Sequence, residues 1–398
     1  MNNAASGSAK QALGMPVPPA RIVEIANRFR NLIGRSHSKM QPPFALVLER
    51  LFGLIDNKML GLLVELEIPD LLHGTAKSAE DLARDTHTDA DALNRMLRFL
   101  VSRDLLGVTS DGRYENNSAS DVLRRDHPYS WRGWVEFFAS DWNWDIWSDA
   151  MQSLKEGGGA AEAALGMPFF DFVNGNADAA AAFNGAMQSG STMQGLLVQE
   201  GYDFSKTRHV CDVGGGTGAV LGNLLLAFPQ MHGTLFELSP VAEQAHEYLG
   251  ALSLLDRCDA TGGDFFQSVP TGADIYTLFA VIHDWGDEQA IQILRNIRAA
   301  MPTGGRVLVI EGVIPDHPHY NFSKASDLLM LVYSDSGRER TQPEFCDLFA
   351  RSGFRVERVL KLPSLFRKVS TLVARVERSF STSSGGSSLT AAAMAPAT

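Results

Sequence analysis

The apolar positions of this 398-residue chain change period along its length. From Arg21 the spacing of RIVEIANRF is helical. Past Pro42 and Pro43 it continues through FALVLERLFGLIDNKMLGLLVELEIPDLL, which reads as one long helix. That helix is apolar over more surface than one small domain covers, so burial against a second subunit is expected. In the stretch SAEDLARDTHTDADALNRMLRFLVSRDLLGVTSDGRYENN, Ser78 and Asp89 read as caps of two short helices, and a hairpin turns at Asp111 and Gly112. Two helices and a hairpin make a winged-helix pattern. From Trp131 the chain becomes aromatic: Trp131, Trp134, Trp142, Trp144 and Trp147 are five of its six tryptophans. Singly such rings read as core, and together as a wall for a flat aromatic ligand. GGGAAEAAL then reads as a flexible connection. MPFFDFVNGNADAAAAFNGAMQSGSTM reads as a helix carrying Phe183, Met187 and Ser191 on neighbouring turns.

Near His209 the pattern becomes short apolar strands alternating with amphipathic helices. HVCDVGGGTGAVLGNLL gives a strand over Val210 to Val213, glycines at 214, 215, 216 and 218, and helical spacing at Val220, Leu221, Leu224 and Leu225. Glycines allow positive φ and close approach of a ligand to main-chain N–H groups, and the helix behind them offers its positive end, so this turn suits a nucleotide. The next strand, GTLFEL, ends at Glu237, a carboxylate placed for the hydroxyls of a ribose. On its own the turn fits a dehydrogenase or a methyltransferase, because Gly214, Gly216 and Ala219 also satisfy the dinucleotide pattern.

Further strands are expected to end at Asp264, just before His283, Asp284 and Trp285, and near Glu311, while Glu339 and Arg340 precede another helix. Repeated βα units predict an α/β fold with a mainly parallel sheet and ligands at the C-terminal strand ends. Residues 1–20 and 379–398, rich in Ala, Ser, Gly and Pro, are expected to be disordered. Between them lie a helical, winged-helix-like module at 21–190 and a nucleotide-binding module at 191–378.

Composition narrows the partners. The net charge is −11, which disfavours nucleic acid and anionic membrane and leaves a small organic molecule as the default substrate. Winged helices often bind DNA, but here Arg95, Arg98 and Arg103 alternate with core leucines and acids. Three cysteines without a C-x-x-C pair point to a reducing cytoplasm without disulfides. No run approaches a membrane span, and MNNAASGSAK lacks the regions of a signal peptide.

In order, DVGGGTG, FEL, GGDFFQSVP, IHDWGDE, VLVIEGVIP and GRERTQPEF resemble the S-adenosylmethionine-dependent O-methyltransferases of the caffeic acid, hydroxyindole and bacterial polyketide type. The resemblance runs from about residue 45 to 376. It implies a Rossmann-like methyltransferase domain behind a dimerising helical domain, S-adenosyl-L-methionine as cofactor, an aromatic hydroxyl as acceptor, and no metal. By the same resemblance Gly214, Gly216 and Gly218 meet the methionine part of the cofactor and Ser191 its carboxylate. Glu237 holds the ribose, where plant relatives more often have Asp, and Asp264 and Phe265 meet the adenine. His283 matches the catalytic base, Glu311 and Glu339 the carboxylates flanking it, and Phe183, Met187 and Asp284 the acceptor pocket; Trp142 joins them from the aromatic wall. Phe279 departs from the pattern, since plant relatives have a basic residue there. The alternatives are transfer to nitrogen, or a related reaction without methyl transfer. At single residues, Asp284 could instead cap the following helix and Glu339 could pair with Arg340.

Overall fold

The computed structural model describes residues 20–362 and 369–376; the two segments expected to be disordered lie outside them, Ala20 excepted. Four helices come first: α1 (Ala20–Met40), α2 (Pro43–Leu51), α3 (Gly53–Glu65) and α4 (Ile68–Leu71). The single long helix expected after Pro43 is therefore divided. Its last break has a local cause: Glu67 takes a left-handed φ of 53°, and Pro69 follows in the first turn of α4, where its missing N–H costs nothing. The wide apolar surface is real, with Phe44 76% and Leu51 66% exposed.

Helices α5 (Ala79–Thr86) and α6 (Ala90–Ser102) begin at the expected caps. Ser78 Oγ accepts from Asp81 N at 3.1 Å and Asp89 Oδ1 from Ala92 N at 2.9 Å. Strands β1 (Gly107–Val108) and β2 (Tyr114–Glu115) form the antiparallel hairpin, and α7 (Ser118–Asp121) follows. Leu63, Ile68, Leu82, Leu97 and Leu100 bury fully to make the core of this module.

Next come α8 (Arg132–Ala139), α9 (Asp141–Ser148), α10 (Ala150–Glu156), α11 (Ala161–Leu165), α12 (Phe169–Gly175) and α13 (Ala177–Gly201). GGGAAEAAL is not a flexible connection. It packs into α11, Ala160 and Ala161 are buried, and Ala160 N donates to Val332 O at 2.8 Å. The helix expected from Met167 is two helices, because Asn176 stops α12 and caps α13 through the amides of Asp178 and Ala179. Helix α13 runs unbroken past residue 190. It crosses α8 backbone to backbone: a Cβ on Gly133 would lie 2.2 Å from Gly185 C.

The second half alternates as expected: β3 (His209–Val213), α14 (Ala219–Ala227), β4 (His232–Glu237), α15 (Ser239–Ala251), β5 (Cys258–Gly262), β6 (Ile275–Phe279), α16 (Asp287–Ala300) and β7 (Arg306–Ile314). It continues with α17 (Phe322–Tyr333), β8 (Arg340–Thr341), the helix expected after Arg340 as α18 (Gln342–Arg351), and, beyond the expected elements, β9 (Phe354–Lys361) and β10 (Val369–Val376). The sheet order is β5-β4-β3-β6-β7-β10-β9, parallel from β5 to β7 and antiparallel across β10 and β9, with β8 pairing in parallel beside the end of β7. Strand order reverses at β3, which places a ligand crevice at the ends of β3 and β6. Two ends differ from expectation. Strand β5 stops at Gly262, two residues before Asp264, and Glu311 lies inside β7, one residue past its last pair with β6, Phe279 with Ile310. Among the described residues no helix is long and apolar enough to cross a membrane.

Candidate active site

At the end of β3 the glycine turn has the backbone its sequence calls for. Gly214, Gly216 and Gly218 take φ of 70°, 55° and 84°, where a Cβ would strain the chain. A Cβ on Gly214 would lie 2.8 Å from Val281 Cγ2 and 3.8 Å from the Phe265 ring, whereas one on Gly216 would meet nothing within 4 Å. The turn is thus closed on the side of the neighbouring strand and open where a ligand can lie along it. Glu237 stands beside it at the end of β4: Oε2 accepts from Gly216 N at 3.1 Å and Oε1 from Leu238 N at 2.8 Å. Beneath it is Asp212, 1% exposed, which the sequence pattern does not single out. Its Oδ1 accepts from Thr277 Oγ1 at 2.6 Å and its Oδ2 has no partner. Burial raises this carboxyl to about 6 against the opposing Thr277 bond, and Glu237 adds to the rise. An acid inside an apolar strand, two residues before the first glycine, was the signal available for it.

Asp264 turns inward on its own loop, accepting from Phe266 N at 2.8 Å and Gln267 Nε2 at 3.1 Å. Phe265 packs edge-on to Trp285 with ring centres 5.9 Å apart. Ser191 lies on α13, and its side chain is outside the described residues. Phe279 fills the core with Val198 and Ile310, an apolar role in place of the basic residue of plant relatives.

Past β6 the chain bends sharply. Ala280 takes a left-handed φ of 52°, and the tight turn Ile282–Asp284 follows. Glu311, fully buried, holds that turn from β7: its Oε1 accepts from the amides of Val281, Ile282 and His283 at 3.0, 2.8 and 3.4 Å. Its Oε2 lies 3.2 Å from His283 Nδ1, and Glu339 Oε1 lies 3.5 Å from the same nitrogen. Both are ion-pair distances without the alignment of a direct hydrogen bond. Glu339 is itself held by α17, taking a bond from Ser326 Oγ at 2.7 Å and giving its amide to Asp327 Oδ1 at 2.9 Å. On the other side of the ring, Nε2 stands 3.4 Å from Asp284 Oδ1. Burial alone would lower the histidine's pKa; the charges of Glu311 and Asp284 and the close approach of Glu311 and Glu339 to Nδ1 outweigh it and raise it well above its usual value. Burial also lifts Asp284 to about 6, opposed by His283 and reinforced by Glu311 and Glu339.

Both single-residue alternatives are overturned. Gly286 occupies the N-cap of α16, so Asp284 is no cap. Arg340 turns away from Glu339 to Asp287 and the carbonyls of Ile282 and Trp285. The sequence reading did not single out Ser326 and Asp327, which hold Glu339, although this polar pair heading the apolar run LLMLVY was a visible sign.

The aromatic residues do not form one wall. Trp142 lies 5.2 Å from Phe137, Phe137 6.1 Å from Phe183, Phe183 5.7 Å from Phe169, and Phe169 5.1 Å from Tyr333, ring centre to ring centre. Trp134 and Trp147 border this cluster. Trp131 packs against the front module while its ring stacks on Trp134 at 6.4 Å, and Trp144 sits 5.0 Å from Lys58 Nζ. Tyr333 closes the cluster by donating to the buried Asn143 Oδ1. Met187, one turn beyond Phe183 on α13, is 37% exposed. Helix α17 joins the two regions, with Leu329, Val332 and Tyr333 in the cluster and Ser326 and Asp327 on Glu339.

A family model described as an O-methyltransferase domain matches residues 144–355, and one described as an O-methyltransferase dimerisation domain matches 48–126. The chain belongs to the O-methyltransferases. Its similarity to the mitomycin biosynthesis 6-O-methyltransferase of Streptomyces lavendulae is 37% identity over 75% of this chain and 85% of that protein. It is 33% identical to the 8-amino-8-demethylriboflavin N,N-dimethyltransferase of Streptomyces davaonensis, over 73% of this chain and 84% of that one. A solved methyltransferase of calicheamicin biosynthesis, CalO1 in its SAH-bound form, superposes with a TM-score of 0.75 at 32% identity, covering 85% of this chain and all of that one. As an O-methyltransferase the protein uses S-adenosyl-L-methionine. The open Gly216 face, the N-terminus of α14 and the carboxylate of Glu237 fit that cofactor.

Proposed function

We propose that this O-methyltransferase methylates a hydroxyl of a small, flat phenolic metabolite, with His283 as general base. The observation that carries the reading is the grip on the imidazole: two buried carboxylates face Nδ1, and Nε2 is left on the side of Asp284. When bound, the cofactor supplies an activated methyl group on a sulfonium. What remains for this chain is to align the acceptor oxygen and take its proton. Alignment can be worth roughly 7–11 kcal/mol. A phenol near pKa 10 is a poor nucleophile at neutral pH, and the neutral imidazole removes its proton during attack. Glu311 and Glu339 fix the ring and stabilise the imidazolium that forms.

Gly214, Gly216, Gly218, Glu237, Asp264, Phe265 and Ser191 hold the cofactor in this proposal. Trp142, Phe183, Met187 and Asp284 bound the acceptor. Residues 21–190 dimerise two copies and line the pocket, and 191–378 bind the cofactor. The mechanism takes no metal. His283, Glu311 and Glu339 offer atoms within 4.8 Å of one another, and the two carboxylates stand 3.2 and 3.5 Å from Nδ1, where their charge stabilises a protonated ring.

Transfer to nitrogen is the second reading, favoured by the similarity to the aminoriboflavin dimethyltransferase. Methyl-labelled cofactor incubated with hydroxylated and aminated aromatics separates the two by where the label lands. His283→Ala is expected to lower the rate roughly 10²- to 10⁴-fold while the affinity for S-adenosylhomocysteine stays. Full transfer by that variant sinks the base assignment. Genomic DNA is expected to show no salt-sensitive gel shift with this chain.

A further inference from the structure

Four consecutive carbonyls, those of Ile282, His283, Asp284 and Trp285, point at one segment of the chain. Arg340 Nη1 donates to Ile282 O at 3.0 Å, Arg338 N to His283 O at 2.7 Å, Ser334 Oγ to Asp284 O at 3.2 Å, and Arg340 Nη2 to Trp285 O at 2.8 Å. Ser336 Oγ takes Gly286 N at 3.1 Å, and a Cβ on Gly337 would lie 2.9 Å from His283 O. Glu311 holds the amides of the same turn, so its backbone is gripped on both polar sides. Arg340 is 1% exposed, and its fork also binds Asp287 Oδ1 at 2.8 Å and 3.1 Å. A buried guanidinium spanning two carbonyls and a carboxylate imposes a geometry that a single ammonium cannot.

We propose that Arg340 is a positioning residue of the active site: with the segment 334–340 it locks the turn so that His283 Nδ1 stays between Glu311 and Glu339. The functional consequence rests on His283 being the base. The same segment begins at the end of α17, where Gly159 N reaches Asp335 Oδ1 at 3.3 Å and Ala160 N reaches Val332 O at 2.8 Å. The lock is therefore fastened to the helices that carry the aromatic cluster.

The test reads the ring itself and needs no acceptor. The charged groups around His283 are Asp284 on its own turn, Glu311 on β7, Arg338, Glu339 and Arg340 on the clamp, Asp287 on α16 and Asp327 on α17. Removing Arg340 outright would change both charge and position. Arg340→Lys keeps the charge and loses the fork, so it isolates position.

Nitrogen-15 labelling of the ten histidines, with His283 assigned by the signals missing from His283→Gln, gives the titration midpoint and tautomer of the ring. In Arg340→Lys the midpoint is expected to fall toward the ordinary histidine value by about one pH unit, as the ring drifts from its carboxylates. His209, bonded to Thr234 Oγ1 at 2.9 Å away from the clamp, is expected to keep its own midpoint. A His283 midpoint and tautomer identical to those of the unmodified protein overturn the proposal. Should Arg340→Lys fail to fold, Asp287→Asn, which removes the carboxylate under the fork, carries the same test with a smaller fall. Full methyl transfer by His283→Ala would defeat the base reading and leave this titration as it stands, so the two failures are distinguishable.

Discussion

The glycine turn after β3 and the histidine turn after β6 sit at the ends of neighbouring parallel strands, and they are built in opposite ways. The first is local. Its three positive φ angles fall on glycines, its helix follows at once, and its outside partner Glu237 ends the next strand. The second borrows nearly everything: three amides are held from residue 311, four carbonyls from residues 334–340, and the ring from 311 and 339. Its positive φ falls on an alanine. A turn that must leave room for a ligand is made from absent side chains, whereas a turn that must hold one ring still is made from distant ones.

The largest test of that contrast is Glu311→Gln. The amide oxygen can still accept from the amides of Val281 and Ile282, but the charge beside Nδ1 is gone. Methyl transfer is expected to fall roughly 10²-fold, with calorimetric affinity for S-adenosylhomocysteine unchanged. The pH profile gives the sign. Because the carboxylates raise the pKa of His283, and the neutral ring is the base, the rate in the unmodified enzyme climbs as pH rises through that elevated value. In Glu311→Gln the ring deprotonates at lower pH, so the climbing limb moves to lower pH. Equal losses of rate and cofactor affinity would show that the two turns are not separable.

Gly214→Ala strikes the other side. Its Cβ would stand 2.8 Å from Val281 at a φ of 70°, and overpacking of this kind costs about 1–3 kcal/mol. Expressed at the ligand, that is a loss of affinity of roughly 10- to 100-fold by calorimetry. Gly112→Ala is the control. It shares the positive φ, at 82°, but has nothing within 4 Å, so it should lower the melting temperature and leave the affinity alone.

A smaller effect is expected of Ser326→Ala, which removes the 2.7 Å donor to Glu339. A hydrogen bond to a charged group is worth about 1.5–3 kcal/mol. Part of it appearing in the transition state would lower kcat about tenfold without changing cofactor affinity.

The contrast also explains what the sequence made legible. The glycine turn, the strand alternation, the hairpin at Gly112 and the caps at Ser78 and Asp89 depend on neighbours a few residues away, so their residues announce them. His283, Glu311 and Glu339 are 28 residues apart at each step, and no period joins them; only the ordered family motifs put them in one site. What rested on wider packing was misread. The aromatic run divides by helix face: Trp131 packs on the front core, Trp142 meets Phe137 in the aromatic cluster, and Trp144 lies under Lys58 outside both cores. GGGAAEAAL is ordered because α17 and the clamp take up its amides, a partner more than 170 residues away.

The finest test asks whether the strained residue in the histidine turn matters in itself. Ala280 holds a φ of 52°, a conformation costing a non-glycine residue about 1–2 kcal/mol. Ala280→Gly removes that strain but gives the unfolded chain more freedom, which costs about 0.4–1 kcal/mol. The difference favours the variant by about 0.5–1 kcal/mol, measurable as a small rise in melting temperature. If Glu311 and Arg340 alone fix the turn, kcat stays within a factor of about two, because the clamp and not the φ of residue 280 places the ring. A large loss of kcat together with the expected rise in stability would mean that the alanine is part of the lock, and that the histidine turn, like its neighbour, depends on the local backbone after all.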